Sequence, residues 1–282
     1  MKKVQLYLNT AGLCYSKENH VIKGGRKKEI PFKALFGVIY HDDLGWILYD
    51  TGYTDRFYEC TRRFPSSIYA KLTKVEINKE DEVASQLQRF GLNPNDIKHI
   101  IITHFHGDHV CGMKDFPSAT FYCSKKAFEY TMKLNKTFSF SKGVLKDLIP
   151  DDIYDRVKFI EDVGREFDDQ IFGTSYDLFG DDSIHTFNLP GHAVGQIGIQ
   201  LRTNKKAYFL VADACWVRSA FIEGKLPNPI VRLFFSSWKD YKETVNKLAN
   251  FHKENPEVKM IPTHCNETLS EVINEKFNMN AL

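Results

Sequence analysis

Apolar positions in the first half of the chain come in short runs bounded by turn residues. Leu35 to His41 and Trp46 to Asp50 are two such runs, separated by Asp42-Asp43-Leu44-Gly45, and this pattern predicts a β-hairpin. Asp50-Thr51-Gly52 ends the second run with turn chemistry. The period then changes. Val83, Leu87 and Phe90 fall at i, i+4 and i+7 with Gly91 behind them, which predicts a helix over 78–91. After the turn Asn93-Pro94-Asn95-Asp96, the run Ile97 to Thr103 leaves no polar side around Ile100-Ile101-Ile102, as in a strand buried on both faces.

Further along, the pattern predicts a strand at Thr120 to Cys123 and a helix at Lys125 to Lys136. Residues 137–182 are polar and rich in aromatics, with two acidic clusters and no clean period, and read as an inserted lid of helices and loops. Strand patterns return at Ile184 to Leu189, Gln196 to Arg202, Ala207 to Asp213 and Val258 to Thr263. A helix from Trp238 to about Lys253 precedes the last of these, and a final helix closes the chain. Strands grouped together with helices between the groups predict an α/β fold of two packed sheets with helices outside. The expectation is a four-layer α/β/β/α sandwich in a single domain, residues 1–282, with a lid at about 137–182.

Composition narrows the function classes. The chain has 282 residues, 43% of them apolar, and 38 basic against 36 acidic side chains. That is too apolar and too weakly charged for disorder, and it lacks the basic excess of a dedicated nucleic-acid binder. No run of 18 apolar residues is long enough to span a bilayer, so neither a membrane nor a nucleic-acid partner is expected. The N-terminus has no apolar segment of a signal peptide, and the six cysteines form no Cys-x-x-Cys pair. Both observations point to reduced thiols and the cytoplasm. A homodimer stays open.

The chemistry begins directly after Ile100-Ile101-Ile102, with Thr103-His104-Phe105-His106-Gly107-Asp108-His109. Extended backbone places His104 and His106 on one side, and the flexible Gly107 lets Asp108 and His109 turn toward a second point nearby. Imidazole nitrogen and carboxylate oxygen are ligands for zinc and similar metals. Three more such residues each follow an apolar run: His192 in Leu189-Pro190-Gly191-His192, Asp213 after Ala207 to Ala212, and His264 after Val258 to Thr263. Five histidines and two aspartates are enough for two metal ions that share one carboxylate.

This set, His104-x-His106-x-Asp108-His109 followed by His192, Asp213 and His264, resembles the ligand set of the metallo-β-lactamase superfamily. Ala11-Gly12-Leu13-Cys14, the chain length and the ligand spacing are most similar to the N-acyl-homoserine lactonase branch. The resemblance implies a first metal on His104, His106 and His192 and a second on Asp108, His109 and His264, with Asp213 bridging. It also implies that Asp50 supports the metal loop without binding metal. Similar lactonases place a tyrosine three residues after the bridging aspartate, against the lactone carbonyl. Here that position holds Trp216, whose indole donates one hydrogen bond with different reach.

The reading that follows is a di-metal hydrolase of a small ester or lactone, in which a metal-activated water attacks and Asp108 and Asp213 take part in catalysis. Zinc is the first expectation, with iron or manganese as alternatives. The alternative functions are a phosphoester or thioester hydrolase, or an iron enzyme of the same fold that handles oxygen or persulfide. Residues 54–79 and 214–237 should line the pocket, with Phe221, Phe234 and Phe235 as an apolar wall suited to an acyl chain.

Overall fold

The computed structural model describes residues 1–273. β1 (Gln5–Lys17), β2 (Glu29–His41), β3 (Gly45–Tyr49), β4 (Val75–Glu76), β5 (His99–Ile101), β6 (Thr120–Cys123) and β7 (Val157–Phe159) form one sheet in the order β4-β1-β2-β3-β5-β6-β7. β8 (Arg165–Asp169), β9 (Gly173–Asp177), β10 (Ile184–Asn188), β11 (Ile197–Arg202), β12 (Ala207–Ala212) and β13 (Lys259–Pro262) form the other, in the order β13-β12-β11-β10-β9-β8. Hairpin neighbours are antiparallel, whereas β3, β5, β6 and β7 run parallel. β12 and β13 are also parallel, and the helix Trp238–Glu254 makes their crossover.

Side-chain alternation builds the layers. Leu48, Ile100, Ile102 and Phe121 face the outer side of the first sheet and pack with Phe57, Val83 and Leu87 from its helices. Their neighbours Ile47, Tyr49, Ile101 and Tyr122 face inward and meet Ile199, Leu201, Leu210 and Ile261 of the second sheet. On the far side, Phe209 and Val211 pack against Tyr241, Val245, Leu248 and Phe251 of the crossover helix. Two sheets covered outside by helices make the expected α/β/β/α sandwich.

The lid needs correction. Within 137–182, Phe140, Ser141 and Gly143 line the cavity described below, whereas β7, β8 and β9 are sheet strands. Their strand character is masked in the sequence because β7 and β8 sit at sheet edges and β9, between β8 and β10, has only Tyr176 as a large apolar side chain. β8, Arg165-Glu166-Phe167-Asp168-Asp169, is mostly charged, as suits an edge that must resist further pairing. The closing helix spans Asn266–Val272, and its expected continuation beyond residue 273 lies outside the described residues.

Ile101, fully buried between the sheets, reports on the central layer. Ile101→Ala is expected to lower unfolding free energy by about 2–5 kcal/mol, measured by urea titration. A change within error would mean that the two sheets do not share this core.

Candidate metal centre

β3 and β5 run parallel in one sheet and β12 and β13 in the other, and the residues that follow these four strands meet at one rim of the sandwich. Asp50, the segment from Thr103 to His109, Asp213 and His264 all leave the strands there. Two backbone residues at this rim adopt the left-handed region that non-glycine residues avoid: Asp50 at φ 54° and Ala212 at φ 48°. The second coincides with a register shift of β12 against β13 and precedes Asp213. Such strain collects where side-chain direction matters.

The structure brings all seven proposed ligands together as two adjoining groups. His104, His106 and His192 form one, and Asp108, His109, Asp213 and His264 the other, with ligand atoms within 4.8 Å of one another in each group. Asp213 stands between them. Its Oδ2 lies 3.3 Å from His192 Nε2 and 3.2 Å from His264 Nε2, and its Oδ1 lies 3.5 Å from His109 Nε2.

Outer partners fix which ring nitrogen faces inward. Asp50 accepts from the Thr103 backbone N–H at 2.9 Å, from the Thr103 hydroxyl at 2.9 Å and from His109 Nδ1 at 2.7 Å. His104 Nδ1 donates to the Thr103 hydroxyl oxygen at 3.1 Å, and His264 Nδ1 donates to the Lys33 carbonyl at 2.8 Å. Each of these histidines therefore turns Nε2 inward. Asp50 itself is fully buried, holds no position in either group and hydrogen-bonds His109 and Thr103 from behind.

What is left inside is chemically incomplete. His104 Nε2, His109 Nε2, His192 Nδ1 and Asp213 Oδ1 are buried without a hydrogen-bond partner. His106 Nδ1 and His192 Nε2 face each other at 2.9 Å, a pair of lone pairs that needs a proton or a cation between them. Burial, reinforced by the neighbouring imidazoles, holds His104 well below its ordinary pKa. Burial also brings His192 down to about 3. Both are thus neutral ligands at pH 7. Burial opposes charge on His109, but Asp108 and Asp50 outweigh it and raise its pKa well above the usual value. Asp213 and Asp108 are held low, Asp108 at about 2, because the imidazoles outweigh the burial that opposes their ionisation. Imidazole nitrogens, ionised carboxylates and orphaned atoms around one space fit divalent cations, which would replace the protons held on His109 and His264.

Above this floor opens a cavity of about 570 Å³, reached by His106, Asp108, His192, Asp213 and His264. Trp216 forms part of its wall and contacts His192 at 5.9 Å between ring centroids, Phe32 at 5.6 Å and Phe235 at 5.1 Å. Phe32 stacks on His264 at 4.6 Å. Phe234 lines the cavity as expected, and Phe235 lies beside it. Phe221 does not; it packs between α-helical segments and the second sheet and faces a separate groove. Tyr69 and Leu72 line the cavity from within the expected 54–79, whereas Cys14 and Tyr53, which also line it, were not expected. No residue-type pattern marks these two, because β1 and the segment after β3 reach the site only through the tertiary fold.

Residues 32–255 match the model of the metallo-beta-lactamase superfamily. The chain belongs to that superfamily. It is 26% identical over 176 residues to N-acyl homoserine lactonase AttM of Rhizobium radiobacter, covering 62% of this chain and 61% of the relative. It thus spans about three fifths of the length of that relative. A second N-acyl homoserine lactonase, from Bacillus sp, is 25% identical over 249 residues, 86% of this chain and 89% of that one. Among solved structures, an N-acyl homoserine lactone hydrolase with N-hexanoyl-L-homoserine at its catalytic metal centre superimposes with a TM-score of 0.75 at 18% identity, over 96% of this chain and 97% of the other. The dizinc quorum-quenching lactonase AidC does so at 0.64 and 15%, over 94% and 90%. These structural likenesses show the shared fold.

Asp50→Ala is expected to weaken zinc binding by roughly 10–100-fold while leaving the ligands in place, read by competition with a chromophoric chelator. Unchanged affinity would remove Asp50 from the support of the centre. Zinc must displace the protons that Asp108, Asp50 and Asp213 keep on His109 and His264. Calorimetry in buffers of different ionisation enthalpy should therefore show proton release, and affinity should rise between about pH 6 and pH 8. Affinity independent of pH would contradict this charge assignment.

Proposed function

We propose that the chain is a metal-dependent hydrolase that opens a small lactone or cleaves a small ester, with two divalent ions, zinc first, at the rim. The observation that carries this reading is the pair of adjoining, buried donor groups, four of whose polar atoms have no partner, at the floor of one apolar-walled cavity. His104, His106 and His192 would hold one ion and Asp108, His109 and His264 the other, with Asp213 between them. Ions held there supply a Lewis acid for the substrate's carbonyl and hydroxide at neutral pH.

The chain's own residues do the rest. Asp108 is the ligand carboxylate slightly open to the cavity, at 8% exposure; it takes the proton that the attacking water gives up and passes it to the departing alkoxide. Asp213, locked between His192 and His264, keeps the two halves of the floor in register. Trp216 and Phe32 form an aromatic wall that excludes water and donates at most through the indole N–H. The curated relatives named N-acyl homoserine lactonases suggest an acyl-tailed lactone, and Phe234, Leu72 and Phe140 offer a matching apolar wall. Cavity-lining cations are confined to the mouth, where Lys17 sits, which favours a neutral ester over a phosphoester at the floor. All six cysteines are free thiols, which suits a reducing compartment such as the cytoplasm.

The test is a hydrolysis panel of lactones, aryl esters, thioesters and phosphodiesters on metal-analysed protein. Lactone or ester turnover with two zinc ions per chain is expected. Silence across the panel with metal intact, or one iron per chain, overturns the assignment. His106→Ala and Asp213→Ala should each lower kcat/KM by at least 10²-fold in a folded chain. Full activity in either variant contradicts the site.

A further inference from the structure

The cavity mouth has a composition that the chemistry at its floor does not require. Leu72, at the end of the helix Ser67–Leu72, lines the mouth yet is 69% exposed, and Phe234 across from it is 62% exposed. Phe234 ends the 3₁₀ helix Pro229–Phe234, where side chains three apart eclipse, so Ile230 and Leu233 share one outward side. They are 61% and 76% exposed. The turn that supplies Phe140 to the mouth begins at Phe138, 62% exposed. Three separate elements thus raise large apolar side chains around one opening, more than scattered exposure accounts for.

Charge follows the same outline. Lys17, Lys71, Lys142 and Arg232 are exposed, each lines the mouth or adjoins a residue that does, and none forms an ion pair among the described residues. The nearby carboxylates are engaged: Glu29 with Lys74, Glu18 with Arg26, and Glu76 as acceptor from the Tyr15 hydroxyl. In a chain of net charge +2, this face is locally basic.

We propose that this rim docks on an anionic bilayer surface, with Ile230, Leu233, Leu72 and Phe138 entering the interface and Lys17, Lys71, Lys142 and Arg232 meeting the headgroups. Apolar side chains ringed by unpaired cations match such a surface in both terms. A second copy matches only one, since a twofold contact would set the same unpaired cations against each other. The expectation of no membrane partner rested on the lack of a spanning segment, and lying against a bilayer needs a patch instead. Docking places the cavity mouth at the lipid boundary, where apolar-tailed molecules concentrate. It is independent of the hydrolase reading, because it uses only exposed side chains.

The experiment is co-sedimentation of the metal-loaded protein with vesicles of phosphatidylcholine alone or with one third phosphatidylglycerol, alongside light scattering of the protein without lipid. Binding to the anionic vesicles only, weakened by added salt, is expected. Lys142→Glu with Arg232→Glu should weaken it by more than tenfold, at about fivefold per basic side chain removed. Ile230→Ser with Leu233→Ser should also release the protein while leaving turnover of a water-soluble ester unchanged. Equal binding to both vesicles, binding to neither, binding that survives both double variants, or a dimer that those variants dissociate would overturn the proposal.

Discussion

Five imidazoles and two carboxylates are held within one buried space, and that arrangement is unfavourable unless something charged lies among them. An unpartnered buried polar atom costs on the order of 1–3 kcal/mol, and four are clustered here. The fold sustains this because three of the donors, His104, His109 and His264, are anchored from behind. Asp50 holds Thr103 and His109, Thr103 holds His104, and the Lys33 carbonyl holds His264. Rigid anchoring removes the easiest escape, which is for the side chains to turn toward solvent. The strain at Asp50 and Ala212 belongs to the same constraint, since both aim a carboxylate that relaxed backbone would direct elsewhere.

Glycine enters where anchoring demands closer approach than a side chain permits. Gly191, just before His192, has φ 127°, and a Cβ there would lie 2.2 Å from the Tyr241 backbone nitrogen at the start of the crossover helix. The crossover that makes β12 and β13 parallel thereby also presses His192 into place. Sheet topology and ligand geometry are one feature here, because the helix that covers the outer face also seats a ligand.

The floor of the centre was legible in the sequence residue by residue and its walls mostly as whole segments, for a physical reason. His104, His106, Asp108 and His109 lie within six positions on one strand end, so their spacing alone encodes their convergence. His192, Asp213 and His264 each follow a strand, and strand ends that point the same way share a rim. Core strands were readable because both faces are apolar, as at Ile100-Ile101-Ile102. β8 was not, since an edge strand satisfies solvent with charge and loses its apolar alternation, and neither was its neighbour β9, Gly173-Thr174-Ser175-Tyr176-Asp177, which has almost no apolar positions to alternate. That loss produced the oversized lid.

Tyr53, Tyr69, Leu72 and Phe234 come to the cavity from segments whose local pattern records only helix or turn, and their meeting depends on long-range packing. The division has a functional side. Donors on strand ends fix what the centre can hold, and the paired strands beneath resist their displacement. Walls built from short helices and 3₁₀ turns carry little of the core and can change composition without disturbing the floor. Reaction class is therefore bound to the sheet, and substrate choice to the segments around the mouth. The exposed apolar side chains there are then best regarded as part of what the protein meets, since burial of the core asks nothing of them.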